Sequence, residues 1–551
     1  MNLNKLLTAL RQRKNTPARN QQAERRERYT HALEQFLDGQ PAVRLGGAYT
    51  LANLADEWLT DASLPEQGRR EEAQTIIDAL TECIRTPYPL AQKRQVLESD
   101  EAPEWYEGNF TRDQEALREE QLVRRTVFME FSRRLAAAES NKEGNEESQH
   151  TVSPSSPMWA DLRFDFGGAP IFYPLRQLHF QNADFASATF YGPADFFGAT
   201  FHGDTSFSAA QFTADASFHG ANFNDWVGFS AAHFAGAAEF GEARFADAAS
   251  FATVTFTGEA DFSDVVFSAA ADFGVASFEA DADFSRLNTA GIASFAAVTF
   301  GGEAIFAAST FHDEAHFAAS VFNRPAVFSK SLFGGAARFA GIATKQTAIF
   351  CNVRFAGAAD FSGATFTQYA DFSGARFDGD AMFSRSSFFA VIRTSYDMDF
   401  PQYANFANAA FAQGADFSEA TFTAFVGFGR ATFAGAVSFN GANFAGAYFA
   451  GAYFADAKFS QKADFRQTRF AYAEPSFWDS EGQQKSARFS AQANPQDYLF
   501  EVRPESPHGF SCGEAQLLNR TFVLPVGAVL YDPDSWDEEK QEYTRVSEPA
   551  Q

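Results

Sequence analysis

Phenylalanine recurs along this chain at an interval that few folds can accommodate. From Phe196 to Phe383 every eleventh residue is Phe, which makes 18 positions without an exception. The residue two places earlier is Ala at 16 of these 18 positions, and a second series from Phe201 to Phe388 is Phe at 16 of 18. The two series interleave at alternating steps of five and six residues. Such a period predicts a repeat whose core uses one side chain again and again.

The spacing also restricts the geometry of the repeat. An inward residue at every fifth or sixth position suits neither a helix of 3.6 residues per turn nor a strand that alternates every two residues. It predicts a square coil of about 22 residues, with one extra residue at two opposite corners. On each side, the Phe and the small residue two places before it point inward. About 290 residues on this period give roughly 13 coils, stacked about 4.8 Å apart.

The positions that break the pattern come in pairs of one large and one small residue. These pairs are Leu287 with Thr289, Ile342 with Thr344, and Ile392 with Thr394. In each pair the small residue stands where Phe is expected, and the large residue stands two places earlier. Because a close-packed interior conserves volume locally, this compensation indicates that both positions point into one shared core.

The motif Ala-Asp-Phe returns many times in this register. It stands at 183–185, 194–196, 271–273, 282–284, 359–361 and 415–417. In these residues the segment 180–470 resembles the pentapeptide-repeat family, whose motif is Ala-(Asp/Asn)-(Leu/Phe)-x-x. The resemblance implies a mainly β fold, the right-handed quadrilateral β-helix. The family's usual step is five, so this chain resembles a Phe-rich variant with 11-residue double repeats. The main run that keeps a step of five is Phe439, Phe444, Phe449, Phe454 and Phe459.

The residues before the repeat predict a small α-helical domain over 1–138. Apolar residues share helical faces within 20–138. These residues are Tyr29, Leu33, Phe36, Leu37, Leu51, Leu54, Trp58, Ile76, Ile77, Leu80, Ile84, Leu122, Val123, Val127, Phe131 and Leu135. This region resembles the one that precedes such repeats in some bacterial proteins, through Arg28-Tyr29, the segment 43–51 and the segment 123–126.

The remaining segments complete a four-part organisation. The polar stretch 139–157 has no apolar period and predicts a flexible linker. The β-helix is expected over 158–470, and 471–551 is expected to cap its end, with a strand-like stretch at 520–531 and an acidic tail. Both open ends of such a stack carry unpaired backbone groups, so the helical domain and the C-terminal segment are expected to cover them.

Charge and composition exclude several classes of protein. With 70 acids against 44 bases and a formal charge of −26, the chain is not a nucleic-acid coat. Its three cysteines are far apart, which excludes a disulfide framework, and it has no apolar run long enough to span a membrane. We expect a cytoplasmic bacterial protein. The first 30 residues hold eight Lys or Arg and two Glu, which predicts a solvated basic helix or a tether to a surface or partner.

The sequence offers no constellation typical of catalysis. Phosphate-binding, zinc-protease, serine-hydrolase and dinucleotide motifs are absent, so we predict no enzyme activity, no cofactor and no metal site. His312 and His316, near Asp313 and Glu314, have the composition of a metal cluster. A solvated corner of the repeat is the preferred interpretation. Cys351 follows an inward Phe and is interpreted as a buried or corner thiol, not as a nucleophile.

The charged residues are distributed unevenly along the repeat. Residues 181–320 hold 18 acids and two bases, whereas 321–470 hold 10 acids and 13 bases. A coil of about 22 residues stacks the acids into two columns on one face, interrupted at Ser217 and Ala237. The columns comprise Asp195, Glu239, Asp261 and Asp283, and Asp215, Glu259, Asp281 and Glu303. Stacked like charges are destabilising, so the columns predict a binding surface for a basic partner. The alternative is that each Asp satisfies backbone groups at its own corner.

These features predict a non-enzymatic scaffold that binds a protein partner through a rigid acidic surface. The resemblance implies an alternative, because some members of the family bind DNA gyrase in place of DNA. In that case the chain is a DNA mimic that regulates or protects a type II topoisomerase, without binding nucleic acid itself. The resemblance also implies a homodimer contact at the C-terminal end of the β-helix.

Overall fold

A computed structural model describes residues 17–136, 159–389, 403–423, 425–445, 452–479 and 485–551. Within these ranges the chain forms a parallel β-solenoid of about 13 turns, preceded by a small region with five α-helices. This confirms the predicted fold class and the predicted number of coils. The chain has two compact units, residues 1–239 with 244–247 and residues 240–243 with 248–551.

The first unit begins with the helices. They are α1 at Pro17–Phe36, α2 at Pro41–Leu59, α3 at Glu66–Arg85, α4 at Arg94–Leu97 and α5 at Phe110–Ala136, with a 3₁₀ helix at Pro89–Lys93 before α4. The apolar face predicted for α3 is buried along its length. Leu37 and Leu122, which were predicted on the apolar faces of their helices, are instead exposed to solvent. Leu37 follows the last residue of α1 and is 69% exposed, and Leu122 is 54% exposed because its neighbour Val123 takes the inward direction.

A close helix crossing explains part of the segment 43–51. A β-carbon on Gly47 would collide with the backbone of Phe36 and Ala32, so glycine lets α2 approach the end of α1. None of the helices in the described ranges has the length and apolar character needed to cross a membrane.

The solenoid of the first unit has four sides, which we number in the order the chain visits them. Its strands are Phe164–Asp165, Ala183–Asp184, Thr205–Ser206 and Val227–Gly228 on side 1, Pro170–Ile171, Thr189–Phe190, Gln211–Phe212 and His233–Phe234 on side 2, Ala194–Asp195, Ala216–Ser217 and Ala238–Glu239 on side 3, and His179–Gln181, Thr200–His202, Asn222–Phe223 and Arg244–Phe245 on side 4. Each strand pairs in parallel with the strand one coil away.

Helix α5 covers the first coil of this solenoid. The ring of Phe128 lies 4.7 Å from that of Phe166, and the ring of Phe131 lies 5.0 Å from that of Phe164. The Ser132 hydroxyl accepts a hydrogen bond from the backbone N–H of His179 at 2.8 Å. Helical side chains thus bury the open core and satisfy backbone groups at the edge, as expected for a cap.

The solenoid of the second unit also has four sides, which we number in the same chain order. Strands run from Ala249–Ser250 to Tyr498–Leu499 on side 1, from Thr255–Phe256 to Arg469–Phe470 on side 2, from Ala260–Asp261 to Ala452–Tyr453 on side 3, and from Val266–Phe267 to Val529–Tyr531 on side 4. Most partners on adjacent coils are 22 residues apart, as for Ala282 and Ala304. This confirms the predicted coil length.

The two kinds of corner account for the alternating steps. After sides 1 and 3 the chain turns through a residue with positive φ, such as Val275 at 60° or Ala308 at 57°, and the next inward Phe stands five residues after the previous one. After sides 2 and 4 it uses one more residue. The extra residues therefore lie at opposite corners, as the period predicts.

The core is a set of stacked phenyl rings. Phe306 lies between Phe284 and Phe328, with ring centroids 4.8 and 4.9 Å away and nearly parallel planes. Phe295 and Phe317, from the opposite side, meet the same ring edge-on at 5.1 and 5.2 Å. Stacked and edge-on contacts are the favourable aromatic geometries, so one side chain can fill the interior repeatedly.

The large-and-small pairs occupy the core as predicted. Leu287 and Thr289 are both buried, as are Ile342 and Thr344, so volume is exchanged within one interior. The hydroxyl oxygens of Thr289 and Thr344 have no hydrogen-bond partner within the described residues. A buried hydroxyl without a partner retains its desolvation cost.

Replacing Thr289 with Val is therefore expected to raise the free energy of unfolding by about 1 kcal/mol. Denaturant unfolding of the full chain measures this change. The exposed Thr299 on side 2 provides the matched control. The same substitution there is expected to change the stability by less than about 0.5 kcal/mol. A lower free energy of unfolding for Thr289→Val would show that the Thr289 hydroxyl makes a stabilising interaction in the core.

Two sequence interpretations fail at the corner between sides 2 and 3. On side 3 Ala370 pairs with Ala404, and Phe406 stacks on Phe372 at 5.0 Å. Phe406 thus fills the core position expected for Thr394. Later Phe454, not Phe449, continues the side 3 stack, 5.1 Å from Phe428. The run of fives through Phe449 is therefore not a regular coil, because extra residues enter at this corner.

Several predicted segments lie outside the described residues. These are 1–16 of the basic segment, the linker 139–157, Ile392 with Thr394, and Phe449.

The C-terminal segment covers the last coils. The strand-like stretch 520–531 forms Arg520–Pro525 and Val529–Tyr531, separated at Gly527, which has a φ of 84°. The first of these strands pairs with Cys512–Leu517 in an antiparallel hairpin. The rings of Phe500 and Phe510 lie 5.5 and 5.7 Å from that of Phe465, which continues the aromatic core beneath the hairpin.

Candidate functional site

Three of the eight predicted carboxylates lie in the first unit. The register of Ala194, Ala216 and Ala238 aligns their outward neighbours on side 3, which are Asp195, Ser217 and Glu239. Asp215 lies at the corner before this side. Its Oδ1 accepts a hydrogen bond from the backbone N–H of Ala237, on the next coil, at 2.9 Å.

The second unit brings the other five carboxylates together. Asp261 pairs in register with Asp283 on side 3. Glu259, Asp281 and Glu303 occupy the adjacent corner on three successive coils. Backbone bonds fix that alignment, since the carbonyl groups of Asp281 and Glu303 accept from residues of the preceding coil at 3.0 and 2.8 Å. Within this unit, two members of the first predicted column and three members of the second are thus stacked on successive coils.

The aspartates of the columns also serve their own corners. Oδ1 of Asp283 accepts a hydrogen bond from the backbone N–H of Ser285 at 2.7 Å, and Asp261 accepts one from Ser263 at 2.8 Å. On the opposite side 1, Asp272 makes the same bond to Gly274 at 2.8 Å. The turn geometry thus explains an Asp at this position on either side, as the alternative interpretation expects.

The glutamates differ from the aspartates. Glu239, Glu259 and Glu303 make no side-chain hydrogen bond and no ion pair with any residue in the part of the chain that the structure describes. Glu239 and Glu259 are exposed, and Glu303 is half-buried. Their carboxylates have no structural use that the fold reveals.

Arginines neutralise part of the acidic surface. The guanidinium of Arg176 lies 2.9 Å from the carboxylate of Asp195, so this member of the first column is paired. Arg286 bonds both carboxylate oxygens of Asp264, at 2.7 and 2.6 Å, which lowers the pKa of Asp264. Arg176 lies just before the acidic range 181–320, so a base outside that range neutralises an acid within it.

An aliphatic ladder continues the acidic column of the second unit. Asp283 pairs with Ile305, Ile305 with Val327, and Val327 with Ile349, all pointing outward on side 3. These three side chains are half-buried. We name Ile305, Val327 and Ile349 the side 3 ladder. Outward positions every 22 residues carry the signal for this ladder in the sequence, although the acidic columns alone do not predict it.

The other candidate groups form no chemical site. Nε2 of His316 lies 2.9 Å from Oε2 of Glu314, which also bonds Arg338 at 2.9 Å, and these contacts lower the pKa of Glu314. Among the described residues, no group of three His, Cys, Asp or Glu side chains is arranged to hold a metal ion. Burial raises the pKa of the half-buried Cys351 thiol, which disfavours the nucleophilic thiolate.

The segment 123–126 contains Arg124, whose charged side chain is buried in the helical region. Arg124 is almost fully buried, and its Nε donates a hydrogen bond to Glu120 at 2.6 Å. Its other nitrogens donate to the backbone carbonyls of Ile84 and Thr86 at 2.7 and 2.9 Å. Arg44 of α2 bonds the same carboxylate. Arg44, Glu120 and Arg124 thus hold α2, α3 and α5 together.

Comparisons with known proteins agree with this architecture. Family models described as pentapeptide repeats match residues 185–233 and 345–387, with nine copies, and residues 430–470, with eight copies. No curated protein matches the chain, and no solved structure does.

Proposed function

Because the chain is a pentapeptide-repeat protein, we propose that it is a non-enzymatic scaffold whose side 3 binds a protein partner. The observation that carries this proposal is the continuity of Asp261 and Asp283 with the side 3 ladder on one sheet. Charge beside apolar surface is the composition of a protein interface, with its apolar core and polar rim.

The partner expected from this surface presents basic residues next to apolar ones. The unpaired carboxylates of Glu259 and Glu303 are available for Lys or Arg of the partner. Electrostatic complementarity of this kind steers association and fixes register, whereas the apolar ladder supplies desolvation energy.

Paired substitutions test the role of the charge. Asp261→Asn with Asp283→Asn removes two charges from side 3 but keeps the oxygens that accept hydrogen bonds from the corners. Asp272→Asn with Asp360→Asn is the matched control on side 1, where both carboxylates make the same bond. With a partner isolated from the native host, we expect binding weakened about fivefold or more only in the side 3 pair.

A second pair of variants tests the ladder. Val327→Lys places a charge on side 3, and Val321→Lys places it on side 2 of the same coil, where Val321 also points outward. Loss of binding in the first variant alone supports the proposal. Equal affinities for all four variants and the wild type would contradict it.

The second candidate is a DNA mimic acting on gyrase, which the regular stacking of Asp261 with Asp283 and of Glu259 with Asp281 and Glu303 favours. The continuation into Ile305, Val327 and Ile349 favours a protein-specific surface instead, since duplex DNA has no such stretch along its charged backbone. Supercoiling by purified gyrase in the presence of the full chain separates the two. An unchanged rate at micromolar protein excludes the mimic, and inhibition relieved by salt supports it.

A homodimer contact at the C-terminal end and a cytoplasmic location remain predictions. The C-terminal segment exposes Trp478, Val526 and Val546, which supports an apolar contact there.

A further inference from the structure

The helical region has an apolar surface that its own packing does not cover. Tyr49 of α2 is 46% exposed, and Leu122 and Met129 of α5 are 54% and 51% exposed. Leu122 and Met129 lie seven residues apart and therefore on one face of α5. Arg44 of α2 bonds Glu120 of α5, and Asn53 of α2 accepts a hydrogen bond from Arg134 of α5 at 2.9 Å. Tyr49 therefore lies on the stretch of α2 that packs along the part of α5 holding Leu122 and Met129. We name Tyr49, Leu122 and Met129 the α2/α5 patch.

Gly46 leaves open space beside this patch. A glycine inside a helix costs about 1 kcal/mol relative to alanine, so its presence calls for a reason. For Gly47 the reason is the crossing with α1. For Gly46, a β-carbon would meet no atom within 4 Å. The space lies one turn before Tyr49, where the side chain of another molecule has room to approach the helix backbone.

An exposed tryptophan lies elsewhere in the same helical region. Trp105, between α4 and α5, is 69% exposed. Its neighbour Tyr106 anchors the loop, because its hydroxyl donates a hydrogen bond to Asp113 at 2.7 Å and its ring lies 4.9 Å from Nζ of Lys93. The backbone N–H of Tyr106 also donates to the carbonyl of Pro103 at 2.9 Å. The indole is thus presented outward from a fixed loop.

The two surfaces carry opposite charge. Exposed carboxylates lie within five residues of Trp105 in the same segment, and they are Asp100, Glu101, Glu104 and Glu107. Beside the α2/α5 patch, Arg125 and Arg133 are exposed on α5. Among the residues that the structure describes, Arg133 makes one ion pair, with Glu130 at 3.0 Å. An indole with an acidic rim and an apolar patch with a basic rim are complementary.

We propose that the helical regions of two copies of this chain bind each other, with Trp105 of each copy on the α2/α5 patch of the other. Glu104 and Glu107 then face Arg125 and Arg133. Because the loop and the patch are different surfaces, reciprocal exchange between two copies gives a closed dimer with two equivalent contacts. Tryptophan and arginine are the residues that most often dominate such interfaces. This proposal is independent of the partner proposed for side 3.

Sedimentation equilibrium of the full chain tests the contact. The wild type is expected to be a dimer, and Trp105→Ala is expected to raise its dissociation constant by about tenfold or more. Trp226→Ala is the matched control, since Trp226 is also exposed but lies on the solenoid. Its dissociation constant should equal that of the wild type. Both side chains are at the surface, so we expect both variants to fold. Circular dichroism verifies this.

Charge exchange makes the test specific for the two surfaces. Glu104→Arg with Glu107→Arg, and Arg125→Glu with Arg133→Glu, should each weaken the dimer, and a mixture of the two variants should restore a heterodimer. Val526→Asp probes the C-terminal end in parallel. A monomeric wild type, an unchanged Trp105→Ala, or dissociation by Val526→Asp alone would each overturn the proposal.

Discussion

Replacing Phe306 with Ala is expected to lower the free energy of unfolding by about 3–5 kcal/mol. The ring is fully buried and contacts two stacked rings and two edge-on rings at 4.8–5.2 Å. Its neighbours are held by the coils above and below, so they cannot collapse into the space that the ring leaves. Most of the cavity cost is therefore retained.

Denaturant unfolding measures this loss, and hydrogen exchange locates it. In a repeat array each coil is stabilised mainly by its neighbours, so exchange should accelerate most in the coils next to residue 306. Phe389→Ala is the control, because that ring is 40% exposed and outside the aromatic stack. If both substitutions had the same small effect, the stacked rings would not be the main source of stability.

Replacing Glu120 with Gln should destabilise the protein by about 3 kcal/mol near neutral pH. The substitution leaves the buried guanidinium of Arg124 and the half-buried one of Arg44 without a carboxylate. An uncompensated buried charge costs more than the intact ion pair contributes. Glu119→Gln is the matched control, because the exposed neighbour is not part of this cluster.

The pH dependence of the stability difference between wild type and Glu120→Gln shows whether the loss comes from the charge of Glu120. Burial opposes ionisation of Glu120, but hydrogen bonds from Arg44 and Arg124 outweigh it and hold its pKa below the ordinary value. A lowered pKa in the folded state means that the stabilisation is present above the pKa of the unfolded chain. It is lost as the pH falls through the pKa of the folded state. The difference between wild type and Glu120→Gln should therefore shrink below about pH 4. A difference independent of pH would assign the effect to packing.

The repeat was predictable because one interior position is filled by one residue type at a fixed interval. The interval fixed the coil length, and the exchange of Phe for Thr at 289 beside Leu287 identified the shared core. The longer corner before Tyr403 was not predictable, since the stack resumes with Phe406 whatever length of chain intervenes.

The candidate surfaces were predictable only in part. Acidic columns follow from the period, but the period does not distinguish an Asp that serves its own corner, such as Asp283, from an unpaired Glu259. Adjacent Leu122 and Val123 look alike in sequence, and only the packing of α5 decides which of them is buried. Trp105 lies in a loop, where no periodic pattern indicates orientation.

The geometry of the coil limits how an array of this kind can change length. Eleven residues carry the chain from one side to the opposite side, as from Ala271 on side 1 to Ala282 on side 3. Duplication of a single 11-residue unit would therefore transfer every later outward residue to the other side and break both the acidic columns and the ladder. Duplication of two units, 22 residues, preserves them. Such genes are expected to grow and shrink by whole coils, whereas residues inserted at the corner between sides 2 and 3 leave the alignment of every side intact.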